Sequence, residues 1–558
     1  MRRKSVRNDG SRGRIALLLA GCVAIFGVIS ARLVALANAP TVAASIYATS
    51  PQDDVQAARP DIVDRNGEVL ATDLATASLY AEPRNITDVD EAVYLLTQEL
   101  PELDPEKLRK DLSTERGFVW LKREVSGRKR EAVHNLGIPG IGFLTETTRF
   151  YPGGSTVGHI VGHTNIDNAG IAGLEKTIDS GGLSALQSVG LARKGRDLAP
   201  VRLSVDLRVQ HAVRDELSRA IERYQAVAAV GIILNAKTME VVSMVSLPDY
   251  DPNQPEQALE QVRMNRAMAG VYEMGSVFKT FTLAMGLDSG TITPNSLLDA
   301  RGKLQIGKYA IGDFHGENRV LTASEVFKYS SNIGSSRIAL ALGAERQKEY
   351  LKSFGFFDRI DTELPEAAQP LVPSSWPRIT QATVSFGHGI SVTPMHTAVA
   401  GAAMINGGIY APPTFFPRSE AEMMKIGRRV ISPQASKQMR DLFLLNGVEG
   451  SGKNARVPGY NVGGKTGTAE KAVKGGYAKN KRLNSFLAAF PIDDPQYVVL
   501  VTIDEPKPEP GKHYATAGWN AAPTVANVIS RVGPMLHVAP RFPGDDAIER
   551  AITVAYQE

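Results

Sequence analysis

Two pairs of apolar, β-favouring runs bracket the second half of this chain and constrain its architecture more than any other feature. Val227–Leu234 and Met239–Val245 flank the turn Asn235-Ala-Lys-Thr238, while Ser485–Phe490 and Tyr497–Ile503 flank Pro491-Ile-Asp-Asp-Pro495. Each pair reads as a hairpin, and the sequence between them is largely helical in pattern. Strands at both ends with helices between predict one antiparallel sheet closed by the two ends of a domain, with helices on its faces. That is an α+β unit over residues 225–540. At 558 residues the chain is too long for one ordinary core. Residues 57–224 are therefore expected to form a second, mixed unit with helical stretches at 88–100 and 204–224. Near its start, apolar pairs flank Asn66-Gly67 in Asp61-Ile-Val-Asp-Arg-Asn-Gly-Glu-Val-Leu-Ala71. This predicts a hairpin with a type I′ turn, because both turn residues tolerate positive φ. The unit has no evident nucleophile–base pairing and reads as a scaffold.

The amino-terminal segment carries an export signal. Ile15–Ala31 is a run of 17 uncharged, largely apolar residues, preceded by Arg2, Arg3, Lys4, Arg7, Arg12 and Arg14 with Asp9 as the lone acid. About 20 apolar residues span a bilayer as a helix, and positive flanks stay in the cytoplasm. Residues 1–14 are thus expected to be a cytoplasmic basic tail, 15–37 a transmembrane anchor and 38–56 a linker, with everything beyond on the outer side. Arg32 can snorkel to the outer interface. Small-x-small sites at Ala35-Leu36-Ala37 and Ala37-Asn38-Ala39 leave a cleaved signal peptide as the alternative, although the run exceeds a usual signal core and Pro40 follows the second site. The only cysteine, Cys22, lies in this run, which excludes an internal disulfide and a Cys-ligated zinc. A net charge of +4 without a long basic stripe gives no support for nucleic-acid binding. Residues 541–558 read as a loosely held polar tail.

The sharpest chemical feature is Tyr272-Glu-Met-Gly-Ser276-Val-Phe-Lys279, followed by an apolar run to Leu287. Apolar residues on nearly every side of a helix predict a buried one. Ser276 would sit in its first turn, with Lys279 three residues later on the same face. A serine hydroxyl is a weak nucleophile, and a neighbouring lysine can take its proton if burial lowers the lysine pKa. Ser-x-x-Lys alone is a weak motif, and Ser126-Gly-Arg-Lys129 is a second copy. That copy lies in the charged stretch LKREVSGRKRE, and a solvated surface is its expected fate.

Two further elements raise the first copy above chance. Thr322-Ala-Ser-Glu325 is a capping box that starts a short helix. Ser330-Ser331-Asn332 interrupts it before Ile333–Leu342 resumes a helix ending near Gly343. A polar turn between two helices can present a hydroxyl and an amide to a cleft. The other element is Gly463-Gly-Lys465-Thr466-Gly467-Thr468, expected on a strand adjoining the terminal hairpin. There Gly467 leaves room for a substrate backbone, and two threonine hydroxyls with one ammonium can hold a carboxylate. Ser276-x-x-Lys279, Ser330-x-Asn332 and Lys465-Thr466-Gly467, in this order, form a known signature of serine β-lactamases and penicillin-binding proteins.

With these motifs the chain resembles the class B penicillin-binding proteins, most closely the division-specific type of Gram-negative bacteria. The resemblance also covers Asp64-Arg-Asn-Gly67, Arg149-Phe-Tyr-Pro152, Gly173-Leu-Glu175, Asn265-Arg266 and Gly387-His-Gly-Ile-Ser-Val-Thr-Pro394. Ser-Ser-Asn at 330–332 looks like the division enzyme, since the elongation paralogue more often has an aspartate in third place. Pro60 and Met274 stand where the family commonly has Gly and Pro; neither changes a reacting group.

The resemblance implies a pedestal or dimerisation-type first domain and a penicillin-binding second domain that acts as a serine D,D-transpeptidase on peptidoglycan in the periplasm. In that scheme Ser276 attacks the carbonyl between the terminal D-alanines of a stem peptide, with Lys279 as general base. Backbone N–H groups of Ser276 and Thr468 form the oxyanion hole. Ser330 relays a proton toward the departing D-alanine, and Asn332 orients Lys279 and the substrate amide. Lys465, Thr466 and Thr468, with Gly467 between them, receive the terminal carboxylate. An amine of a neighbouring stem peptide then takes the acyl group. No metal or organic cofactor is implied. The implied partners are β-lactams as covalent inhibitors, the membrane, the lipid-linked glycosyltransferase of division and other division proteins. A β-lactamase or D,D-carboxypeptidase on the same fold is one alternative, but no placed base for deacylation is evident. A non-catalytic β-lactam sensor or division scaffold is another, against which the intact motifs and the short cytoplasmic tail argue.

Overall fold

The expected hairpin at 61–71 forms, with β1 (Ile62–Val63) antiparallel to the start of β2 (Val69–Ala81). Its turn is not type I′. Only Gly67 has positive φ, and Gly67 N–H bonds the Asp64 carbonyl at 3.1 Å. Asp64 Oδ1 accepts from the N–H groups of Asn66 (2.7 Å) and Glu68 (2.9 Å), so an aspartate side chain sets the turn in place of a second left-handed residue.

The computed structural model describes residues 59–180, 199–473, 476–512 and 514–542. The expected basic tail, anchor and linker (1–14, 15–37 and 38–56) lie outside these residues, as does the carboxy-terminal tail from 543. Among the described residues no helix is long and apolar enough to cross a membrane. The described chain divides into two compact units, residues 77–146 and residues 59–76, 147–179 and 199–542.

In the smaller unit the far half of β2 pairs with β3 (Val119–Val125). Helix α1 (Val89–Glu99) is capped by the Asp88 carboxylate on Glu91 N–H, and α2 (Pro105–Leu112) by Asp104 with Pro105 at its first position. Helix α3 (Gly127–Asn135) follows. Leu79, Leu96, Leu108 and Val125 lie in one buried cluster.

In the larger unit three separated sequence motifs meet in a buried ionic cluster. Glu175 Oε1 accepts from Arg149 Nε at 2.7 Å and Oε2 from Arg59 Nε at 2.9 Å, while Arg149 also reaches Asp73 (3.0 Å) and the Pro60 carbonyl (2.8 Å). Buried charges persist only when paired and hydrogen-bonded in this way. Strand β4 (Val201–Arg202) pairs parallel with β1.

The main sheet contains β5 (Ala228–Asn235), β6 (Val241–Leu247), β7 (Gly463–Val473), β8 (Gly476–Phe490) and β9 (Tyr497–Asp504) in the order β7-β8-β9-β5-β6. Tyr497 pairs with Asn235 and Asp504 with Ala228, so the last strand of this sheet in chain order joins the first. Helix α4 (Leu207–Tyr224, capped by Asp206) and α10 (Ala521–Met535) pack on one face, with Val213, Leu217, Val501, Val528 and Ile529 in one buried cluster. A second cluster holds α5 (Lys279–Asp288), α6 (Ala323–Lys328), α7 (Asn332–Leu342), α8 (Pro394–Ile405) and α9 (Pro433–Glu449), and includes Ile232 and Leu500 from the opposite face of the sheet. Strand β7 is left at the sheet's edge.

Candidate active site

The apolar run after Ser276 becomes α5, in which every residue from Lys279 to Leu287 is buried. Ser276 precedes the α-helix, in the 3-10 turn Gly275–Phe278. Its hydroxyl lines a cleft of about 610 Å³ and has no hydrogen-bond partner among the described residues. Lys279, 1% exposed, turns to the second motif: Nζ donates to the Ser330 carbonyl and to Ser330 Oγ at 3.0 Å. From the third motif, Lys465 Nζ reaches the same Oγ at 3.0 Å. A hydroxyl that accepts from two lysine nitrogens has used both lone pairs and keeps its own proton to donate. Burial, reinforced by the Lys465 ammonium, holds the Lys279 pKa well below the usual lysine range, with Asp313 pulling weakly the other way. Burial also brings Lys465 down to about 7. Two ammonium groups around one hydroxyl repel, which favours the neutral amine at Lys279.

The capping box of Thr322 and Glu325 starts α6, and Ser330 then takes a left-handed φ of 57°. For a residue with a Cβ that conformation is uncommon and needs support from its surroundings. Asp313 supplies it. Its Oδ2 accepts from the Ser331 hydroxyl at 2.6 Å and its Oδ1 from Ile333 N–H at 3.0 Å, while Ser331 Oγ caps α7 on Gly334 N–H. Asn332 Nδ2 donates to the Gly312 carbonyl at 3.0 Å, and no hydrogen bond joins Asn332 to Lys279. Asn332 nevertheless lines the cleft with Ser330.

Along β7, alternation puts Lys465 and Gly467 on one side and Thr466 and Thr468 on the other. Lys465 is fully buried, with Nζ 5.6 Å from the centre of the Phe327 ring. Gly467 is needed for a reason that spacing did not reveal. A Cβ there would lie 2.4 Å from the Met274 carbonyl oxygen and 2.8 Å from Val277 Cγ2. The close approach is that of the strand to the turn bearing Ser276. Thr466 and Thr468 line the cleft. Thr466 Oγ1 is 2.6 Å from Ser451 Oγ, and Thr468 Oγ1 accepts from Ala517 N–H at 3.2 Å.

A rim that motif reasoning did not reach is tied together by Glu273. Its Oε1 accepts from Gly389 N–H (2.8 Å) and from Tyr477 OH (2.9 Å), and Oε2 lies 3.3 Å from His388 Nδ1. His388 stacks on Tyr477 with ring centres 4.6 Å apart. Asp313, Glu273, Ser451 and Tyr477 carry no local signature, because their partners are distant in sequence. The second Ser-x-x-Lys lies in the smaller unit: Ser126 is exposed at the start of α3, and Lys129 bonds Glu102 at 2.8 Å.

The family described as the penicillin binding protein transpeptidase domain matches residues 229–530, and the penicillin-binding protein dimerisation domain matches residues 54–192. The chain is 40% identical to the "Probable peptidoglycan D,D-transpeptidase FtsI" of Caulobacter vibrioides, over 87% of this chain and 82% of that protein. It is 31% identical to the "Probable peptidoglycan D,D-transpeptidase PenA" of Neisseria gonorrhoeae, over 96% and 94% respectively. Identity to the "Peptidoglycan D,D-transpeptidase FtsI" of Escherichia coli K12 is 28%, over 87% and 85%. Among solved structures, the apo transpeptidase domain of Burkholderia pseudomallei penicillin-binding protein 3 matches with a TM-score of 0.55 and 32% identity, covering 61% of this chain and 98% of that one.

Proposed function

Because this chain belongs to the class B penicillin-binding proteins, we propose that it is a serine-type peptidoglycan D,D-transpeptidase that cross-links stem peptides at the division septum. One observation carries the mechanism: an uncommitted serine hydroxyl, three residues ahead of a buried, proton-poor lysine, opens onto a cleft lined by the other two motifs. Neutral Lys279 takes the Ser276 proton as Ser276 Oγ attacks the carbonyl between the two terminal D-alanines. The two groups close to hydrogen-bond distance as substrate enters, a common change on leaving the unliganded state. Backbone N–H groups of Ser276 and Thr468 receive the developing oxyanion. In support, the Thr468 carbonyl lies only 3.0 Å from where a Cβ on Gly275 would stand, so the strand backbone abuts the nucleophile's turn. Ser330 passes a proton toward the leaving D-alanine. Thr466 and Thr468 hold the terminal carboxylate, and Lys465, buried on the other side of the strand, adds its charge from behind. Asn332 contributes through the substrate amide. The acyl ester then passes to an amine of a second stem peptide.

The wider setting is part of the same reading. Residues 15–37 anchor the chain in the inner membrane with the amino terminus cytoplasmic, residues 57–224 form the pedestal, and residues 225–540 act in the periplasm. The lipid-linked glycosyltransferase of division is the natural partner, since cross-linking needs its glycan product, and β-lactams are covalent inhibitors of Ser276.

Intact-mass measurement after mixing with excess penicillin tests this directly. A lasting gain of one ring-opened drug, lost in Ser276→Ala, is the expected result. Label that persists in Ser276→Ala defeats the assignment. Rapid return to the unmodified mass with many equivalents of drug consumed identifies a hydrolase, which turns over at ~1–1000 per second.

A further inference from the structure

The acceptor half of the reaction carries one proton more than the three motifs can place. An alkyl amine enters at neutral pH as an ammonium and leaves as an amide, so it sheds two protons. Neutral Lys279 takes one of them and returns it to Ser276 Oγ as the ester bond breaks. The other needs a second acceptor in the cleft. Ser330 Oγ has both lone pairs engaged by Lys279 and Lys465, and Lys465 is fully buried behind it. The remaining charged residues of the described lining are two carboxylates, Glu273 and Glu470, and two cations, Lys453 and Arg482. Carboxylates are weak bases, and the cations have no lone pair to offer. His388 is the one imidazole in that lining.

Backbone holds His388 beside the nucleophile. Gly387 and Gly389, with φ of 79° and 86°, turn the chain tightly on either side of it. A Cβ on Gly387 would lie 2.3 Å from the Gly275 carbonyl oxygen, so the turn rests on the residue before Ser276. Tyr272 and Val392 exchange both backbone hydrogen bonds at 2.9 Å and tie the two segments together. A carboxylate then orients the ring. Glu273 Oε1 is occupied by Gly389 N–H and Tyr477 OH, whereas Oε2 faces His388 Nδ1 at 3.3 Å. The proton of a neutral imidazole therefore sits on Nδ1, and Nε2 keeps the lone pair. Nε2 has no partner among the described residues, and the stack on Tyr477 fixes the plane of the ring. A carboxylate behind an imidazole both aims it and stabilises its protonated form, which is the logic of a base oriented by a third group.

We propose, resting on the transpeptidase reading above, that His388 is a catalytic base of the second half-reaction and that its Nε2 takes the first proton of the acceptor ammonium. The freed nitrogen lone pair forms the N–C bond at the ester carbonyl, and the C–Oγ bond to Ser276 breaks. Lys279 carries the second proton to Oγ. The imidazolium, whose side chain is 43% exposed, then gives its proton to solvent. Glu273 is a positioning residue for this step. Acylation by the donor needs no such base, because the Ser276 proton itself goes to the departing D-alanine.

The test uses the full-length protein in detergent, an acyl-D-alanyl thioester that loads Ser276, and two synthetic acceptor peptides of equal length. One ends in a primary alkyl amine. The other ends in an aminooxy group, in which oxygen replaces the methylene next to nitrogen and the nitrogen is uncharged at neutral pH. The aminooxy acceptor has a single proton to shed and bypasses His388. The readout is the ratio of transfer rates to the two acceptors, taken within one preparation so that loss of folded protein or of acylation cancels. His388→Gln keeps an N–H for Glu273 and a flat face for Tyr477 but cannot take a proton. The alkyl-amine-to-aminooxy ratio should fall by ~100-fold, the lower end for a lost general base. Glu273→Gln, which removes the charge behind the ring, should lower the ratio in the same direction by less. An unchanged ratio in His388→Gln, whether both rates hold or both fall together, overturns the role. Transfer to neither acceptor by the unsubstituted enzyme, with the acyl group released to water, overturns the transpeptidase reading itself, a separate and recognisable result.

Discussion

Lys279 Nζ lies 3.0 Å from Ser330 Oγ, which also receives Lys465 Nζ at 3.0 Å, so one hydroxyl joins two buried lysines of different motifs. On the proposed mechanism Lys279 is a proton acceptor, not a fixed cation. Lys279→Arg preserves charge but cannot accept a proton, because guanidinium stays protonated. The rate of Ser276 acylation by fluorescent penicillin should fall by at least ~100-fold. Near-normal acylation in the Arg variant would remove Lys279 from the base role.

The acid limb of the acylation rate should follow the Lys279 ammonium. The Lys465 charge disfavours that ammonium, whereas Asp313 favours it. Removing the positive neighbour in Lys465→Met lets Lys279 hold its proton to higher pH, so the limb moves up. Removing the negative neighbour in Asp313→Asn moves it down. Stopped-flow acylation between about pH 5 and about pH 9 reads both shifts. Movement in the same direction would refute the electrostatic account.

Glu273 fastens Gly389 and Tyr477 to the segment that bears Ser276. Glu273→Ala should slow penicillin acylation by ~10-fold, as expected for a lost charge-assisted hydrogen bond. Tyr477→Phe, which removes one of the bonds, should show a smaller effect. Equal rates in Glu273→Ala and the unsubstituted protein would show that the rim does not position the nucleophile.

Gly467→Ala places a methyl 2.4 Å from the Met274 carbonyl oxygen, a contact that backbone must move to relieve. Overpacking of this kind costs about 1–3 kcal/mol. Acylation should drop by at least ~10-fold, since displacement of β7 from the Ser276 turn by the same contact disturbs the oxyanion position. Melting temperature and acylation rate, measured together, check it.

Glu175 holds two arginines in a site where its own side chain and that of Arg149 are fully buried. Glu175→Ala leaves both guanidinium groups without their shared carboxylate and should destabilise the larger unit by about 3–5 kcal/mol. Chemical denaturation of the full-length protein provides the measurement.

Local pattern determined much of this protein. The two hairpins, the caps at Asp88, Asp206 and Thr322, and the buried helix after Ser276 follow from interactions a few residues apart, which a sequence displays directly. The order of the three motifs was likewise legible. Tertiary structure decided what depends on distant partners. Asp313 braces a turn 18 residues away through a segment with no periodicity, and Lys279 loses basicity because a closed core buries it and Lys465 stands beside it. Gly467 is required by the approach of another turn, and the turn at Asn66-Gly67 took its form from the Asp64 carboxylate where dipeptide preference pointed to type I′. Capping and turn preferences act over one or two turns of chain, whereas burial and charge pairing sum over residues brought together by folding.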